Sequence, residues 1–64
     1  MTLERFVFVQ WLEASEKLNT LSGMEYEYWL GKTVGFVEIM ANVLNCTFVE
    51  ASRYLMDRKT AESA

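Results

Sequence analysis

From residue 24 to residue 45 the apolar positions recur at helical spacing, and they recur on too many sides. Set about 100° apart, as an α-helix requires, Tyr26, Trp29, Leu30, Val34, Phe36, Val37, Ile39, Met40, Ala41, Val43 and Leu44 cover roughly 220° of the circumference. An ordinary surface helix carries an apolar stripe only a little over about 100° wide. The narrow remaining side holds Glu27, Gly31, Gly35, Glu38 and Asn42. The pattern predicts a helix over about 23–45 that needs several neighbours. A break at Gly31–Gly35 is the alternative, since glycine is a weak helix former.

The first segment reads as a helix from about Leu3 to Thr20, with Leu3, Val7, Trp11, Ala14, Leu18 and Leu21 at spacings of four and three. Thr2 is placed to cap it, and Glu4 suits the positive end of the helix dipole. β-Branched and aromatic residues cluster in Arg5–Leu12 and could also form a strand, but the helical stripe continues past that run. Ser22-Gly23-Met24-Glu25 reads as a capping box opening the second helix, with Leu21 and Tyr26 as its hydrophobic staple. A turn this short predicts that the first two helices form an antiparallel hairpin. Thr47-Phe48-Val49-Glu50 is a second capping box, opening a shorter third helix over about 48–59. Its stripe is Phe48, Ala51, Ser52, Leu55 and Met56, with Arg53 and Asp57 as an i,i+4 ion pair. Residues 61–64 are expected to fray, leaving a single all-α domain over 1–60.

Composition makes this architecture precarious. Sixty-four residues with one cysteine and no histidine leave no internal disulfide and no zinc site to staple a small core. Yet half the residues are hydrophobic and nine are aromatic, the opposite of a disordered chain. Marginal size with surplus apolar surface predicts completion by oligomerisation, a two-fold dimer first. The lone Cys46 suits a reducing, cytoplasmic setting and reads as a small hydrophobe at a helix end. Lys32 and Glu38, near the middle of the long apolar segment, argue against a membrane span. Net charge is −3, with the six basic residues scattered, so no nucleic-acid surface is expected.

Candidate chemistry is thin. Glu13, Glu16, Glu25 and Glu27 gather around the first turn, but carboxylate-bridged metal sites in bundles also use histidine, and a solvated face is the simpler reading. Gly31-Lys32-Thr33 resembles the end of a phosphate loop, yet Tyr26 stands where the motif needs its first glycine. No catalytic residue, metal ligand or cofactor is expected. What remains are surfaces. Phe8, Val9 and Leu12 point away from the main stripe of the first helix and read as a partner face. Gly31 and Gly35 invite the close approach of another backbone, in this chain or a partner. Tyr28, on the polar side, is placed to touch something outside. Phe36, Ile39 and Val43 complete the expected partner or oligomer interface. The expectation is a non-enzymatic interaction module, a regulator or inhibitor that binds a larger intracellular protein as a homo-oligomer. The alternative is a structural subunit whose apolar surface is consumed by self-assembly.

Overall fold

A computed structural model describes residues 1–63, which form three helices and no strand: α1 (Leu3–Lys17), α2 (Gly23–Leu44) and α3 (Phe48–Ser63). The Thr2 hydroxyl accepts a hydrogen bond from the Arg5 N–H at 3.1 Å, so α1 begins where its cap residue dictates. Arg5–Leu12, the segment with strand-like composition, is helical throughout. α1 stops three residues short of Thr20. Asn19 and Thr20 donate their N–H groups to Glu16 and Lys17, both at 3.1 Å, tightening the chain into turns instead of continuing the helix.

The start of α2 departs from the capping box. Ser22 makes no side-chain cap bond. Gly23, the first helical residue, has φ +64°, far from the negative φ that a capping box assumes at that position. From there α2 runs through Gly31 and Gly35 without interruption. Its other end is sharply made. Asn45 adopts the left-handed conformation, and Cys46 donates its N–H to the Ala41 carbonyl at 2.9 Å while Asn45 donates to that of Asn42 at 3.3 Å. These paired bonds of a left-handed helix stop satisfy two of the last carbonyls, and they are usually joined by an apolar contact from the residue after the stop. Cys46 supplies it, packing half-buried against the core.

Only Thr47 then separates Cys46 from α3, and its capping box closes completely. The Glu50 carboxylate accepts from both the N–H and the hydroxyl of Thr47 at 3.0 Å, while the Glu50 N–H donates to the Thr47 hydroxyl at 3.1 Å. The bond from the Thr47 N–H is the main cause holding the Glu50 carboxyl below its ordinary pKa, with the hydroxyl bond second. α3 also outruns its predicted end. Residues 60–63 are helical, and Ala64, the last of the expected tail, lies outside the described residues. No glycine or proline follows Lys59 to stop the helix. Arg58 bonds Glu62 one turn on at 2.9 Å, and Glu62 lies 3.7 Å from Arg5 on α1. The expected Arg53–Asp57 pair is not among the ion pairs of the described residues.

α2 is the central element, packing on both α1 and α3. The core is Val7, Phe8 and Trp11 of α1, Val37 and Met40 of α2, and Ala51 and Leu55 of α3. Here the expected outer face of α1 is corrected. Phe8 is 1% exposed, and Val9 and Leu12 pack half-buried against the core. The buried arc of α1 runs from Ala14 through Val7 and Trp11 to Phe8, about 120° wide and centred on Trp11. The predicted stripe was tilted away from Phe8 by Leu3, which is exposed, and by Leu21, which lies beyond the end of α1 where 100° spacing no longer applies. On the far side of Phe8, the Arg58 guanidinium sits 4.7 Å from the ring centre and is held there by Tyr54 (3.2 Å) and Glu62. The stripe of α3 also shifts. Ala51 and Leu55 are buried, whereas Phe48 and Met56 are exposed.

Candidate interaction surface

The eight buried side chains are outnumbered, among the described residues, by twelve large hydrophobic ones left exposed. Three regions carry them. Met1, Leu3 and Phe6 lie at the start of α1, Phe48, Val49 and Met56 on α3, and the rest along α2.

α2 holds the longest continuous set. Tyr26, Leu30 and Val34, at successive steps of four, are 38%, 40% and 40% exposed and form one ridge on the helix surface. The next row of the same pitch is Glu27, Gly31, Gly35 and Ile39. A Cβ placed on Gly31 or Gly35 would meet nothing within 4 Å. No backbone of this chain approaches the glycines, so the intrachain form of the close-packing expectation is excluded. The two glycines instead form the floor of an open groove. One wall is the Tyr26–Leu30–Val34 ridge, and the other is the row Tyr28, Lys32 and Phe36.

The second wall is ordered by its own chemistry. The Tyr28 and Trp29 rings meet edge to face at 5.6 Å. The Lys32 ammonium lies 4.9 Å from the Tyr28 ring centre and 4.8 Å from that of Trp29, and Lys17 reaches the same Trp29 ring from α1 at 4.8 Å. Cations over an aromatic face are attracted by its quadrupole. Trp29 is thus half-buried beneath two lysines rather than in the core, while Tyr28 stands outward as its polar-side position predicts.

The remaining interface candidates divide. Ile39 is exposed and Gly31 open, Gly35 and Val43 are half-buried, and Phe36 is half-buried against the core. The ridge residues Tyr26, Leu30 and Val34 were absent from the predicted interface. Reading them as generic members of a wide apolar face hid them. The signal was available in the four-residue row lying beside a four-residue row with two glycines.

Of the acidic set, Glu13 and Glu16 line a shallow, open depression with Lys17 and Thr20. No group of three or more potential metal ligands exists among the described residues. By length and composition no single helix among them is able to cross a membrane, and α2 and α3 pass that test only together, across a 101° bend. No family model, curated protein or solved structure matches the chain.

Proposed function

We propose that this chain is a non-enzymatic interaction module that works as a homo-oligomer, a dimer first, and that binds a larger protein as a regulator or inhibitor. The observation carrying the reading is the excess of exposed apolar side chains over a core of eight. Size agrees with it. The chain exposes 4515 Å², against about 4,200 Å² for a compact monomer of its mass. Its radius of gyration is 11.7 Å, against about 10.7 Å for a compact chain of this length. Within each copy, α1 and α2 are proposed to lie as an antiparallel hairpin. The Lys17–Trp29 contact favours this arrangement, because it joins the end of α1 to the early turns of α2, while Val7 and Phe8 share a core with Val37 and Met40 farther along.

Light scattering behind size exclusion tests the assembly. A mass near twice 7.4 kDa is expected, and a monodisperse monomer over the accessible concentration range would overturn it. Affinity capture on the immobilised dimer, followed by reconstitution with the purified candidate, tests the regulatory half. A stoichiometric complex that changes the partner's activity is the expected result.

A further inference from the structure

We infer that the second copy of the chain docks on one face of α2, the Tyr26–Leu30–Val34 ridge of each copy seating in the Gly31–Gly35 groove of the other. This rests on the self-association reading and specifies its surface. The ridge and the groove are adjacent rows of the same pitch, so the face is complementary to itself. A two-fold dimer requires that property, since the same patch must meet its own copy. Interdigitation of i±4 rows on both helices is the commonest class of helix packing, with axes crossing at about −50°. The glycines allow the axes to approach closely, and their Cβ positions are empty in the single chain. Each is otherwise a weak point within a 22-residue helix.

The available area agrees. Tyr26, Leu30 and Val34, with the flanking exposed Met24 and the stems of Glu27 and Glu38, present on the order of 500 Å² on this face, so two copies can bury about 1,000 Å² together, the size at which a specific interface begins. The exposed apolar groups of α1 and α3, Phe6 and Met56 among them, have no glycine row beside them, since α1 and α3 contain no glycine.

Gly31→Gln separates a partner contact from a folding effect. Glutamine is a better helix former than glycine, and its Cβ meets nothing in the single chain. The variant should therefore keep its helicity and cooperative melt while its dimer dissociation constant rises at least 30-fold. Leu30→Glu should act in the same direction, and Met56→Gln should leave the constant unchanged. A covalent test does not depend on those variants. In a Cys46→Ser background, a mixture of Leu30→Cys and Gly35→Cys chains should give an oxidised heterodimer and a mixture of Met56→Cys and Gly35→Cys chains should give none, because a disulfide demands Cα atoms within about 7 Å and the Gly35 Cβ position is open. If the wild-type chain dimerises but Gly31→Gln leaves its constant unchanged and the Leu30→Cys and Gly35→Cys chains fail to cross-link, this face is wrong and self-association stands. If the wild-type chain is monomeric throughout, self-association falls and this inference falls with it.

Discussion

Between Gly23 and Gly35, α2 carries Tyr26, Trp29, Leu30 and Val34 and buries none of them fully. Between Phe36 and Leu44 it carries side chains of the same kind and buries Val37 and Met40. Hydrophobicity does not separate the halves; the supply of neighbours does. The C-terminal half meets residues from both α1 and α3 in the core, while the other half projects beyond that three-way contact. The helix ends differ in the same sense. The α2–α3 junction closes a left-handed stop and a complete capping box within three residues, whereas the α1–α2 junction leaves its serine unbonded. One half is fixed by its own chain, and the other is left available.

The largest test of that contrast is a matched truncation. Met40→Ala empties a fully buried site and should cost about 2–5 kcal/mol, a large share of the stability of so small a domain. Val34→Ala should cost under about 1 kcal/mol at concentrations where the chain is monomeric, because less water-exposed surface changes hands. Denaturant titration of both variants at low concentration checks the pair. Equal losses would mean that the N-terminal half is as well enclosed as the other.

The junctions give a smaller contrast. Thr47→Ala should cost about 1 kcal/mol, the usual worth of a cap bond, and Ser22→Ala no more than a few tenths, since no bond is lost. Thermal melts of the two proteins side by side decide it, with a similar loss from both showing that Ser22 does cap.

The smallest effect is a pH dependence confined to one junction. The Glu50 carboxyl is held below its ordinary pKa in the folded chain, so the folded state favours its ionised form. Its contribution is full above the ordinary carboxylate range and is lost as pH falls through the lowered folded value. Glu50→Gln should therefore reduce the fall in melting temperature between pH 7 and pH 3 relative to wild type. An unchanged fall would show that the carboxylate makes no use of the Thr47 bonds.

The class of fold and the positions of the three helices were legible because they depend on local spacing and caps. Thr2, Asn45, Thr47 and Glu50 act within a few residues of themselves. What misled was nonlocal or conformational. Phe8 packs with residues of α2 and α3 and is covered by Arg58, fifty residues away. The capping box at Ser22 is unformed, and the next residue, Gly23, takes a positive φ that no spacing rule records. The extension of α3 to Ser63 goes with Glu62 facing Arg5 across the fold. Of the candidate surface, Tyr28, Gly31 and Ile39 could be placed outward from helical angle alone. The ridge could not be ranked above the rest of the wide face without knowing which flank α1 and α3 leave bare.

Arg58 over Phe8 also ties the last turns of α3 to the core. The last turns of a helix usually open first in amide exchange, yet those of α3 carry the guanidinium that roofs a core ring and the carboxylate that faces α1. Proteolytic trimming after Asp57 would uncover Phe8 and slacken α1 at the opposite end of the sequence.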